Sequence, residues 1–220
     1  MAAAWEPFCE LLHVESRDGR GAARSRLAGL REAYLAARAV GGEVPLAETA
    51  GEDAWPLART RGVWVLWMLR DAVGPTAFQA ACGDWLAGCE PPSLAALRAH
   101  AEAEHGAELG AFLDYWTATT GLPDYRLRSA VARRCGDGYL VTLQVENRGQ
   151  GPILVAALIR TEEGAQHEFA IRAGTGERTE ARYPVLTRPV AAALDPEGDL
   201  LSASGAGSWV SVRVRLWGLF

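Results

Sequence analysis

Lysine is absent: all 22 basic side chains are arginine. That one-sidedness reads as the codon usage of a GC-rich coding sequence, not as a binding signal. Basic charge is not in excess either, because 27 acidic residues leave a net charge of -5 and a pI near 5.5. A nucleic-acid binder is expected to carry a basic excess, so nucleic acid is not an expected partner. No uncharged apolar run reaches the roughly 18 residues that a bilayer span requires, so no membrane association is expected. The N-terminal Met1-Ala-Ala-Ala-Trp-Glu-Pro7 has neither the basic region nor the apolar core of a secretory signal, and the expected compartment is the cytoplasm. Cysteine is scarce: Cys9, Cys82, Cys89 and Cys135 form no C-x-x-C pair. A structural zinc site is therefore not expected, and the four read as buried free thiols. Walker loops, G-x-G-x-x-G and G-x-S-x-G are all missing.

What is present changes character once along the chain. Residues 1 to about 120 follow a helical period. Glu6-Pro7 suggests a first helix with proline at its opening position, carrying Phe8, Leu11 and Leu12 and stopped by Asp18-Gly19. Leu27, Leu30, Tyr34 and Ala37 share one face of a second helix over about 21–39. Gly41, Gly42 and Pro45 mark a loop to Asp53. Trp55-Pro56 opens a third helix, apolar on most sides and so expected at the centre of a bundle. A fourth helix should bear Phe78, Cys82, Trp85 and Leu86. A fifth should start at Ser93 with Leu94 and Leu97. A sixth should carry Leu109, Phe112, Leu113 and Trp116.

From Tyr125 the period falls to two. Tyr139, Val141, Leu143 and Val145 alternate with Leu140, Thr142, Gln144 and Glu146, and Cys135-Gly-Asp-Gly138 reads as a hairpin turn. Further strands are expected near 153–160, 167–172, 177–183, 189–194 and 208–216. Their turns are Asn147-Arg-Gly149, Glu163-Gly164, Gly174-Thr-Gly176 and Asp195-Pro-Glu-Gly198. Helices first and strands second predict an α+β chain of two modules in series. These are an α-helical bundle over 1–122 and an immunoglobulin-like antiparallel β-sandwich over 123–220. Charge divides at the same place. Residues 1–122 hold 10 arginines and 16 acids, a net of -6; residues 123–220 hold 12 arginines and 11 acids, a net of +1.

Candidate chemistry is sparse. His100 and His105 are five apart and fall on different faces of a helix, whereas a helical zinc pair wants histidines four apart. Glu104 and Glu108 share a face, but two acids at that spacing read as a solvated surface. His13 and Glu15, two apart, cannot face each other on a helix. Trp64 and Trp67 read as core. No set of residues within the chain makes a complete catalytic site.

Four segments carry a family resemblance. Trp5-Glu-Pro-Phe-Cys-Glu-Leu-Leu12 resembles the Glu-Gly-Phe-Ala-Glu-Tyr-Leu segment of the aminopeptidase N-like (gluzincin) zinc metallopeptidases. Arg59-Thr-Arg-Gly-Val-Trp-Val-Leu-Trp-Met-Leu-Arg70 resembles the family's Tyr-x-Lys-Gly-Ala-x-Val-Leu-x-Met-Leu-Arg helix. Phe112-Leu-Asp-Tyr-Trp-Thr-Ala-Thr-Thr-Gly-Leu-Pro123 is similar to the Phe-Phe-x-x-Trp-x-x-x-x-Gly-x-Pro that closes the family's helical region. Val141-Thr-Leu-Gln-Val-Glu-Asn-Arg-Gly149, leading to Leu194-Asp-Pro-Glu-Gly198, looks like the sandwich that follows the catalytic domain in many members. The likeness implies the C-terminal half of such an enzyme.

Its departures matter as much. The resemblance places Glu6 at the third zinc-ligand position, but the family's His-Glu-x-x-His helix would lie upstream of residue 1. One carboxylate does not hold zinc tightly, since catalytic sites use three protein ligands. Arg59 occupies the position of the family's oxyanion-binding tyrosine, and Pro7 replaces the glycine after the ligand. Two functions follow as expectations. In one the chain is a non-catalytic relative acting as a binding or assembly module, inactive alone and without zinc. In the other it is one chain of a split aminopeptidase. A partner protein then supplies His-Glu-x-x-His, Glu6 completes the zinc shell, and a large apolar patch on the helical half receives the missing lobe.

Overall fold

The computed structural model describes residues 2–49, 55–79, 82, 107–151 and 154–215. The chain forms two compact units, Met1–Thr120 and Gly121–Phe220. Helices make up the first and two antiparallel-rich sheets the second, so the fold is α+β, a helical part followed by a β-sandwich.

In the first unit, α1 (Ala2–Asp18) and α2 (Arg20–Val40) are separated by Gly19 alone. Its φ of 87°, accessible to glycine at little cost, lets the chain reverse there while Gly19 N still donates to Glu15 O at 2.9 Å. A 3-10 turn (Leu46–Glu48) interrupts the expected loop. Then come α3 (Trp55–Val73), a further helical stretch at 75–79, and α4 (Ala107–Ala118). Every side chain from Arg61 to Leu69 is buried, and α1 and α2 both pack against α3, which makes it the central helix. Apolar side chains fully withdrawn from water, such as Trp64, Leu66 and Leu69, stabilise the unit by about 1.5–3 kcal/mol each before entropy is charged. A charged corner ties the three helices together. Glu15 of α1 pairs with Arg70 of α3 at 2.7 Å, Arg20 of α2 binds Asp71 of α3, and both arginines stack on Trp67.

Two expectations change here. Pro7 lies inside α1 instead of opening it, so the carbonyl of Ala3 receives no N–H from residue 7. Packing holds the extra turn: Ala4 is buried, and the Trp5 ring meets Phe8 edge-on at 6.0 Å and stacks on Phe78 at 6.4 Å. On α2, Ala37 is exposed and Ala23 takes a place in the core beside Leu27 and Tyr34. The thiols also depart from expectation: Cys9 and Cys135 are free but exposed, and Cys82 is half-buried. The fifth helix, Trp85, Leu86, Cys89, His100, Glu104 and His105 lie outside the described residues.

In the second unit, β1 (Tyr125–Cys135) and β2 (Gly138–Asn147) form the expected hairpin, with Cys135 opposite Gly138. Only Gly136 in its two-residue turn has positive φ (59°), the pattern of a II′ turn. β3 (Leu154–Thr161), β4 (Gln166–Arg172), β5 (Arg178–Val185) and β6 (Pro189–Leu194) follow. The last run splits into β7 (Val210–Ser211) and β8 (Arg213–Arg215). One sheet has the order β5-β2-β1-β8 and the other β4-β3-β6-β7. The final run therefore changes sheets at Val212, pairing antiparallel with β6 before it and parallel with β1 after it. Val141, Leu143 and Val145 of the first sheet and Val155, Ala157 and Ile159 of the second are buried, as period-two alternation demands.

Candidate functional site

Glu6 and Arg59, the two positions singled out by the resemblance, are brought together. α1 carries Glu6 and α3 carries Arg59, and Arg59 Nη2 lies 3.3 Å from Glu6 Oε2. The pair sits in solvent: the Glu6 side chain is 80% exposed and that of Arg59 43%. A second exposed pair, Arg26 and Glu10 at 2.9 Å, links α2 to α1 one turn along from Glu6. Both acids are thus charge-compensated, and an exposed ion pair of this kind is worth about 0–1 kcal/mol. No group of three or more metal-binding side chains occurs among the described residues. His13 is exposed on α1, and His167 lies on β4 of the other unit. The Glu108 backbone is helical in α4. Among the described residues of the helical unit, the exposed large apolar side chains are Val40 and Val44.

Among the described residues, a dense buried polar constellation lies two residues from Arg59. Arg61 is 1% exposed, and a guanidinium so deep in a protein is stable only if its N–H groups are satisfied. Nε donates to Trp116 O at 3.1 Å, Nη2 to Thr119 O at 2.8 Å and Nη1 to the Tyr34 hydroxyl at 3.0 Å. Nη1 also lies 3.4 Å from Glu43 Oε1, and the guanidinium stands 5.1 Å over the Trp116 ring. Tyr34 OH in turn donates to Glu43, whose other oxygen lies 2.8 Å from Arg38 Nη1. Burial pushes the Tyr34 phenol above its ordinary value against the opposing charge of Arg61, so it stays protonated and able to donate. Arg61 thereby neutralises the carbonyl end of α4, where the helix dipole favours a cation. Its three nitrogens are engaged by the protein, which makes this a structural centre.

The sequence reading missed this network. Its signal was present: one arginine opening an otherwise apolar run from Val63 to Leu69 must be buried with it. Its partners, Glu43 in a glycine-bounded loop and the carbonyls of Trp116 and Thr119, have no signature of their own.

In the sandwich, the conspicuous polar residues hold turns. The Asn147 carboxamide, wholly buried, accepts from Asp124 N at 3.1 Å and Gly149 N at 3.0 Å and donates to Gly151 O at 2.9 Å. Asp195, at a φ of 41°, accepts from Asp199 N at 2.8 Å and Leu200 N at 3.1 Å. Glu146 gathers Arg128, Arg148 and Arg178 on the outer face of the first sheet. Burial pushes its carboxyl up, but hydrogen bonds from Arg178 and Arg128 outweigh that and hold it below the ordinary glutamate value. Burial, with Cys9 nearby, pushes the Cys82 thiol up to about 11, so it is a poor nucleophile at neutral pH.

No family model and no curated protein matches the sequence. A solved structure, that of Legionella pneumophila aminopeptidase A in complex with aspartic acid, is similar to this chain at 15% identity with a TM-score of 0.45. The match covers 74% of this chain, which spans 18% of the length of that protein. No described helix is long and apolar enough to cross a membrane.

Proposed function

We propose that this chain is a non-catalytic relative of the aminopeptidase N-like zinc metallopeptidases, acting in the cytoplasm as a binding or assembly module. The observation that carries the proposal is the contact between Arg59 and Glu6. Those side chains stand at the positions that the resemblance assigns to an oxyanion donor and a zinc ligand. A guanidinium directed at the carboxylate puts a positive charge where a metal would need to sit, and the two compete for the same oxygen lone pairs.

One observation favours the split enzyme as a second reading. Glu6 is 80% exposed, so its carboxylate is reachable by another polypeptide. A partner offering His-Glu-x-x-His would have to draw Glu6 from Arg59, which is inexpensive for a surface pair.

The test is zinc content and aminopeptidase activity, measured on the purified chain and on whatever co-purifies stoichiometrically from its native lysate. The non-catalytic reading expects no zinc retained after dialysis and no hydrolysis in either sample. It also expects Glu6→Ala to fold with an unchanged melting midpoint. Stoichiometric zinc and peptidase activity in a complex, both lost with Glu6→Ala, would overturn it in favour of the split enzyme.

A further inference from the structure

The outer face of the β5-β2-β1-β8 sheet concentrates charge that the composition hides. β1 contributes Arg126, Arg128 and Arg133, β5 contributes Arg178 and Arg182, and β8 contributes Arg213 and Arg215; all are exposed. Among the described residues, the acids paired with them are Glu146 on β2, Glu180 on β5 and Asp124 just before β1. The sandwich half as a whole is almost neutral, so this one face is strongly positive and its balancing acids lie elsewhere.

The arginines divide into two groups. Arg126, Arg128, Arg178 and Arg182 are already neutralised by carboxylates, Arg126 by Asp124 at 3.1 Å. Arg182 meets Glu180 Oε1 with both Nε at 2.9 Å and Nη2 at 2.6 Å, and Arg128 and Arg178 share Glu146. On the β1–β8 side, Arg133, Arg213 and Arg215 have no acidic partner among the described residues. Arg133 and Arg215 stand opposite each other across the parallel pair. With Ser129, Thr142 and Gln144 they line a hollow of about 280 Å³. It adjoins a second of about 430 Å³ bounded by Arg128 and Arg178, and Gln144 and Glu180 border both. The result is a trough across four strands with cationic walls, and with hydroxyl and amide groups and the Glu180 carboxylate between them.

We propose that this face binds an acidic polypeptide segment of a partner protein, with Arg133, Arg213 and Arg215 receiving its carboxylates. Three observations select that occupant. The face already displays the contact it would make, since Nε and Nη2 of Arg128 and of Arg182 each converge on one carboxylate oxygen, of Glu146 and of Glu180. Acids on alternate residues of an extended peptide repeat every ~6.6 Å, the separation of Arg213 and Arg215 along β8. The net charge of -5, with -6 on residues 1–122, repels a long polyanion such as nucleic acid but leaves a short acidic segment free to approach a local positive field. The proposal does not depend on the metallopeptidase kinship, and it would stand if zinc and activity were found.

The test is fluorescence anisotropy with the full chain and a short fluorescein-labelled peptide of alternating glutamate and serine. Binding is expected at about 50 mM salt and should weaken steadily towards about 300 mM as the charges are screened. Arg133→Gln combined with Arg215→Gln should weaken it about fivefold to tenfold, and Arg213→Gln alone about twofold to fivefold. Arg172→Gln combined with Arg188→Gln removes the same charge away from this face and should leave binding unchanged. All five arginines are exposed, so the variants should melt with the parent. Absence of binding, or equal losses in the control, overturns the proposal. So does tighter binding of a thymidine oligonucleotide that the same variants weaken, which would make nucleic acid the occupant. Salt-sensitive self-association in sedimentation, abolished by the Arg133 and Arg215 variant, would overturn it in favour of a second copy.

Discussion

Replacing Arg61 with alanine withdraws one of the two cations beside Glu43, removes a donor from the Tyr34 hydroxyl and strands the carbonyls of Trp116 and Thr119. Removing one member of a buried charged cluster costs about 3–5 kcal/mol, so Arg61→Ala should lower the urea-unfolding free energy by that order. Arg61→Lys should recover little of it, because an ammonium cannot reach Trp116 O, Thr119 O and Tyr34 OH together. Glu6 and Arg59 contrast with it. Both are exposed and were singled out by motif, while Arg61 is buried and was passed over two residues away. Motif reading finds positions that a known chemistry names. It does not find a side chain whose partners come from a loop and from backbone carbonyls of a helix more than fifty residues away.

Among the elements, the strands of the first sheet give the clearest titration. Glu146 has its carboxyl held down by arginines on β1 and β5, so it stitches three strands together only while ionised. A carboxyl lowered in the folded state contributes stability above its unfolded value of about 4.3 and loses it as pH falls through the folded value. The parent should therefore lose thermal stability below about pH 4.3, and Glu146→Gln should flatten that part of the pH profile while remaining less stable than the parent at pH 7. The strands were legible as elements because alternation such as Val141, Leu143 and Val145 survives in one dimension. α3 was equally legible, since its uninterrupted apolar run leaves no face for water. The start of α1 was not: local rules place Pro7 at a helix opening, and the stacking of Trp5 on Phe78 adds a turn before it.

At the scale of the whole molecule, the two units carry separate cores and should report separately. Six of the eight tryptophans belong to residues 1–120, so tryptophan fluorescence follows the helical unit. Arg61→Ala should shift the fluorescence-detected unfolding midpoint and leave the strand signal of the sandwich in place, giving two transitions where probes disagree. A single coincident shift by both probes would show that the units unfold as one. By itself the sequence determined the order of helices and strands, the central place of α3, the hairpin at Gly136 and the uneven division of charge along the chain. Each of those depends on neighbours in the chain: hydrophobic period, glycine at a tight turn, and simple charge count. Only the tertiary structure decided that Arg59 turns to Glu6, that Arg61 is sealed among carbonyls, and that seven arginines gather on one sheet face. Those facts depend on which strands and helices become neighbours, and pairing across a sheet sets side chains from distant segments about 5 Å apart.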